Sequence, residues 1–274
     1  MPAGAPSRSP AALEAMSPST ARSERPKPDA VYLFGTCLLD LFFPESGLAA
    51  VELIEREGVR VIYPQAQTCC GQPAYNSGYR REARAVARAQ LELFAGPHPV
   101  VVPSGSCGAM LKVHYPELFH GEPEQAAARA LSERVCEWSA FMVDVLAVRL
   151  ADLGPPRRVT YHPSCHLLRE LGVRDAPLTL LRQLERVELV SLPDAEECCG
   201  FGGSFAVKMG DLSAAMVRDK CAAVAESGAE LVVSMDAGCL LNIGGALHAG
   251  GYPARALPLP LFLKRRIAGG DDAA

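Results

Sequence analysis

The chain has 274 residues, 49% of them apolar and 21% charged. That is enough for one large or two medium domains whose core needs no disulfide framework. A net charge of −4, with Lys264-Arg265-Arg266 the one basic cluster, argues against a general nucleic-acid binder, and no apolar run approaches the ~18 residues of a membrane span.

Residues 1–28 carry Pro at 2, 6, 10, 18, 26 and 28 and no apolar stretch. They read as a disordered leader rather than a secretory signal. Ten cysteines in such a chain suit a reducing cytoplasm, where clustered thiols serve metal or redox chemistry.

The first folded stretch, Val31-Tyr-Leu-Phe-Gly-Thr-Cys37, reads as a strand ending in a turn at a cysteine. A helix is expected over 45–57, and a strand at Val59–Tyr63 leads to Cys69-Cys70-Gly71. A second helix follows over 78–95, then a strand at Val100–Val102 shortly before Cys107. A long helix is predicted over about 124–151, anchored by Trp138, Phe141, Val145 and Val148 and stopped by Gly154-Pro155-Pro156. The same order then recurs. Val159-Thr-Tyr-His-Pro-Ser-Cys165, a helix over 177–186, a strand at Val187–Ser191 and Cys198-Cys199-Gly200 follow in turn, then a helix over 205–227, a strand at Leu231–Ser234 and Cys239.

Matching cysteines are separated by 128 (Cys37 and Cys165), 129 (Cys69 and Cys198, Cys70 and Cys199) and 132 residues (Cys107 and Cys239). Landmarks at nearly one offset indicate an internal duplication. The expected fold is α/β, with two pseudo-symmetric lobes, each a parallel sheet flanked by helices. The lobes should span 29–152 and 157–268, with a flexible tail at 269–274. Sites in such sheets form beyond the C-terminal strand ends, where all eight repeat cysteines fall.

Thiols gathered at one edge repel as thiolates unless a cation neutralises them. Zinc sites space chelating cysteines two to four residues apart, whereas this chain has adjacent pairs and no Cys-x-x-Cys. An iron–sulfur cluster is wider and accepts diverging thiolates. Cys37, Cys69, Cys70, Cys107, Cys165, Cys198, Cys199 and Cys239 are therefore the candidate metal ligands. Gly71 and Gly200 are candidate cofactor-binding positions, leaving room for the cluster and bringing backbone N–H groups to the sulfurs. His162 and His166 flank Cys165, and either could ligate or donate to a sulfur. Cys136 and Cys221 lie outside the repeat within helical patterns and read as core residues. Lys208 and Lys220 read as solvated. Gly200-Phe-Gly-Gly203 lacks dinucleotide-loop spacing, and no catalytic triad or paired-carboxylate motif stands out, so hydride chemistry belongs elsewhere.

This doubled arrangement of single Cys, Cys-Cys-Gly and later single Cys resembles the cysteine-rich (CCG) domain family over about residues 29–264. Members include a heterodisulfide reductase subunit, the iron–sulfur subunit of glycolate oxidase and lactate utilization protein A. The run from Cys198 to Phe205, with Lys208, Ser213, Met216 and Lys220, is most similar to the lactate-utilization branch, as is Asp236-Ala-Gly-Cys239-Leu-Leu-Asn-Ile-Gly244. The resemblance implies an iron–sulfur electron-transfer subunit, carrying one or two [4Fe–4S] clusters, in a complex oxidising lactate or a similar 2-hydroxy acid. It also implies two partners, a ferredoxin-like iron–sulfur protein and a third lactate utilization protein. The family pattern ends in Cys-x-x-Cys; here Ser104 and Asp236 replace the first of that pair. A four-thiolate cluster, an Asp236 carboxylate ligand and metal in one lobe only all remain open, as does zinc. Competing readings are a zinc-stabilised module without a redox role, a glycolate oxidase subunit and a heterodisulfide-reductase-type enzyme.

Overall fold

The computed structural model describes residues 26–270; most of the expected leader and the last four residues of the tail lie outside that range. Eight short strands form two parallel sheets. The first joins β1 (Ala30–Leu33), β2 (Arg60–Ile62), β3 (Val100–Val102) and β4 (Val135–Glu137) in the order β2-β1-β3-β4. The second joins β5 (Arg157–Tyr161), β6 (Val187–Leu189), β7 (Leu231–Ser234) and β8 (Arg255–Pro258) in the order β6-β5-β7-β8. The two orders are the same, as a duplication requires. Equivalent registers repeat: Val31 faces Val61 and Val159 faces Leu189. Central β3 is apolar throughout, as a strand covered on both faces must be; Val100, Val101 and Val102 are all fully buried.

The predicted helices at 45–57 and 78–95 form as Pro44–Arg56 and Arg80–Leu93. That at 177–186 is shorter, Ala176–Leu181, and that at 205–227 is split into Ser204–Lys208 and Gly210–Ser227. The long helix expected over 124–151 does not exist. Its first part ends at Arg134, and Val135–Glu137 pairs with β3 as a fourth strand. Arg134 helps fix that break, its guanidinium donating to the carbonyls of His98 and Phe94. Cys136 therefore sits in a strand, not a helix. Trp138 and Phe141, which suggested helical periodicity, are buried on the short helix and π-helical turn after the strand.

The two sheets share one core. Val31, Leu33, Trp138 and Phe141 from the first half pack in a single cluster with Val159, Leu231, Val233 and Phe262 from the second. The C-terminal helix, Leu259–Ala268, packs on Pro44–Arg56, where Lys264 pairs with Glu52 at 2.7 Å. Arg266 and Asp152 form a buried ion pair beside it at 2.5 Å. Each half adds its own smaller cluster on its outer side, built around Phe94 and Tyr115 in one and Val224 and Ile243 in the other. No described helix is long and apolar enough to cross a membrane.

Candidate metal centre

All ten cysteines are free thiols. The sheets position eight of them alike. Cys37 opens the helix Cys37–Phe42, and Cys165 immediately precedes a π-helical turn, His166–Glu170. Cys69-Cys70 and Cys198-Cys199 lie in loops after β2 and β6. Cys107 and Cys239 are each the third residue of a helix that follows a central strand. The loop pairs are held from behind: Tyr115 donates its hydroxyl to the Cys70 carbonyl at 2.9 Å, and Asn242 donates to the Cys199 carbonyl at 2.8 Å.

Within each set the sulfurs touch in series. The Cys37 and Cys69 sulfurs are 3.8 Å apart, and Cys69 also contacts Cys70, which contacts Cys107. Cys165, Cys198, Cys199 and Cys239 repeat that chain of contacts. Two thiolates bound at ~2.3 Å to one tetrahedral metal stand about 3.8 Å apart, so Cys37 and Cys69 are already spaced to share one metal. Electrostatics single out the first cysteine of each pair. Thiols of Cys37 and Cys70, with the Gly71 amide, hold Cys69 down to about 3. Those of Cys165 and Cys199, with the Gly200 amide, hold Cys198 down to about 2. Cys37 and Cys165 are pushed well up, chiefly by donating to that thiolate.

Gly71 and Gly200 donate their N–H to the sulfurs of Cys69 and Cys198, both at 3.4 Å. Both are left-handed, φ +85° and +82°. The need for glycine arises on the side away from the sulfurs. A Cβ at Gly200 would lie 2.8 Å from the Ser213 carbonyl, and one at Gly71 3.3 Å from that of Ala83. The helix behind each pair, rather than room for a cluster, excludes a side chain.

The two sets do not form separate pockets. All eight cysteines line one cavity of about 470 Å³ between the halves. Ser104 and Asp236, both in its lining, meet there. Asp236 caps the Ala237–Ala249 helix by accepting from Gly238, and its other oxygen accepts from the Ser106 amide at 2.8 Å and the Ser104 hydroxyl at 3.4 Å. Both carboxylate oxygens are thus engaged, one within its own helix and one across the seam. His166 lines the cavity, its Nε2 3.3 Å from the Gln72 amide nitrogen, which also donates to the Ser106 carbonyl. Gln72 carried no sequence signal, since only the packing of the halves places it there.

His162 is completely buried, and neither ring nitrogen has a hydrogen-bond partner. A ring nitrogen and the Cys199 and Cys239 sulfurs lie within 4.8 Å of one another. Burial pushes this imidazole down to about 3, helped by the nearby Lys220 charge. Lys220 itself corrects the sequence reading: it is 2% exposed, donating to the Asp194 carbonyl at 2.6 Å. Lys208 is exposed as expected. Cys221 is buried within its helix, its sulfur near the Ile243 carbonyl, and Cys136 packs against the shared core. Neither lines the cavity.

A family model for the cysteine-rich domain, CCG, matches residues 31–112 and 159–244, one match per half. The chain belongs to the CCG cysteine-rich domain family. It is 51% identical over 237 residues to the lactate utilization protein A of Geobacillus kaustophilus, covering 86% of this chain and 99% of that one. It is 47% identical to the protein of the same name from Geobacillus thermodenitrificans, with the same coverage. Among solved structures it resembles a hypothetical protein from Helicobacter pylori, with a TM-score of 0.61 at 13% identity, over 88% of this chain and 49% of that one. That likeness concerns the fold alone.

Proposed function

We propose that this CCG protein holds iron–sulfur metal in its cysteine sets and serves as an electron-transfer subunit in the oxidation of lactate or a similar 2-hydroxy acid. The observation that carries this reading is the convergence of eight free thiols, in two matched sets, on one cavity. The donor chemistry fits: thiolates are the ligands iron–sulfur clusters take, and the Gly71 and Gly200 amides are placed to stabilise anionic sulfur. Bound there, such a group would supply one-electron storage. The chain's own part is to hold the thiols, engage Asp236 in backbone bonds and shield the inner sulfurs; Cys70 and Cys199 are each 2% exposed. Substrate and pathway rest on the relatives' names.

The reading takes 29–152 and 157–268 as the two repeated units, supported by the separate family matches. It assigns the protein to the cytoplasm, the compartment that keeps clustered thiols reduced. It places a ferredoxin-like iron–sulfur protein and a third lactate utilization protein beside it, because this chain lacks a ferredoxin Cys-x₂-Cys-x₂-Cys run.

The test is anaerobic purification of the full chain with iron, sulfide and zinc analysis. Iron and sulfide in matching amounts, with visible absorbance that bleaches on dithionite, are expected. A colourless protein holding only zinc would replace this reading with a zinc-stabilised interaction module.

A further inference from the structure

The two cysteine sets differ most sharply three residues before the first cysteine of each. In the first half that place belongs to Phe34, and in the second to His162; both are 0% exposed. Phe34 shows that an apolar ring satisfies the packing there. Burying an imidazole instead brings two polar nitrogens out of water, and a buried polar atom left without a partner destabilises the fold. In His162 neither nitrogen is partnered by any protein group.

What the ring does approach is sulfur. Its nearer nitrogen and the Cys199 and Cys239 sulfurs form a triangle with no side beyond 4.8 Å. A metal bound tetrahedrally at ~2.3 Å to sulfur and ~2.0–2.1 Å to nitrogen would want these donors about 3.5–3.8 Å apart. The three atoms are within small side-chain adjustments of that spacing. His166 is different: it is 30% exposed and has Gln72 and Glu170 beside its ring.

Resting on the reading that the cysteine sets hold metal, we propose that His162 is a nitrogen ligand to the metal bound by Cys199 and Cys239. The second set then binds through mixed nitrogen and sulfur donors. The first set, with Phe34 in the matching place, binds through sulfur alone. The two centres are chemically unlike although the folds around them match.

The experiment is pulsed electron paramagnetic resonance on the anaerobically purified full chain, with histidine labelled with ¹⁵N or left at natural abundance. If the bound metal is zinc, it is first exchanged for cobalt(II). A nitrogen coupling that changes with the histidine label is expected in the wild type. It should be lost in His162→Phe and kept in His166→Gln. His162→Gln serves as the second variant should His162→Phe fail to fold, and it too should lose the coupling. A coupling that survives in a folded His162 variant overturns the proposal, as does a metal-loaded wild type without one. The latter result leaves the cysteine-based reading intact, whereas a wild type that binds no metal overturns both.

Discussion

Ser104 and Asp236 occupy equivalent places in the repeat, 132 residues apart, and touch each other: the Ser104 hydroxyl lies 3.4 Å from Asp236 Oδ2. Each also caps the helix that carries the last cysteine of its own set, Ser104 accepting from the Cys107 amide and Asp236 from that of Gly238. One contact therefore ties both cysteine-bearing helices to the seam. Asp236→Ala removes a cap and the Ser106 bond together, leaving buried amides unpaired. It should lower stability by about 1–3 kcal/mol. Asp236→Asn, which still offers one acceptor oxygen, should recover much of that. Thermal melts of the two variants check the order; a melting temperature for Asp236→Ala equal to that of the wild type would contradict it.

Cysteines separate by position rather than by type. Cys199→Ser should empty or convert the second centre while the chain stays folded, because a core of this size does not depend on one metal site. Cys221→Ser, in a buried helical position outside the cavity, should keep the metal and cost about 1 kcal/mol in packing. Metal content and circular dichroism on both variants distinguish the cases. Loss of metal in Cys221→Ser with retention in Cys199→Ser would reverse the assignment.

The glycines after the cysteine pairs give a graded test. Gly200→Ala meets both a left-handed backbone and a carbonyl 2.8 Å from the new Cβ, and should cost about 2 kcal/mol or more. Gly71→Ala, with 3.3 Å of room, should cost less. Gly269→Ala has a left-handed backbone, φ +72° and ψ +16°, but only ordinary contacts of 3.5 Å or more at the new Cβ, so only the backbone cost of about 1 kcal/mol remains. Denaturant midpoints rank the three, and a Gly269→Ala variant worse than Gly200→Ala would refute the packing account.

Glu137 supplies a pH dependence. It caps the short helix after β4 by accepting from Ser139 and Ala140, and burial raises its carboxyl from 4.5 to about 7. A carboxyl raised by folding costs nothing below its unfolded value and destabilises the fold once ionised. Stability should fall as pH rises from about 4.5 to 7, by an amount on the order of 3 kcal/mol from this group. Glu137→Gln removes the ionisation but keeps an acceptor. The loss of stability between pH 5 and pH 7.5 should therefore be smaller in Glu137→Gln than in the wild type. Equal slopes in the two proteins would show that Glu137 does not carry it.

The duplication was legible because it is written in cysteine spacing. Offsets of 128 to 132 residues place the eight thiols after equivalent strands whatever the loops between them do. The fourth strand of the first sheet was not. Val135–Glu137 is three residues long and sits in an apolar rhythm that continues through Trp138 and Phe141, so periodicity alone prolongs the helix through it. Lys220 misled for a related reason: its carbonyl partner, Asp194, is 26 residues away, beyond any local pattern. The meeting of both cysteine sets in one cavity was also out of reach. It follows from how the halves pack on Trp138, Phe141 and Phe262, and no spacing rule encodes that.

The shared central core gives the chain the arrangement of a two-subunit dimer whose subunits are joined by a peptide bond. Neither half could be made alone without leaving its side of that core open to water. In an unjoined dimer of identical subunits, every substitution lands on both sides of the cavity at once, so symmetry is enforced. Joining the subunits lifts that constraint. Phe34 could be kept three residues before the first cysteine of one set while His162 takes that place in the other, and Ser104 could face Asp236 instead of a copy of itself.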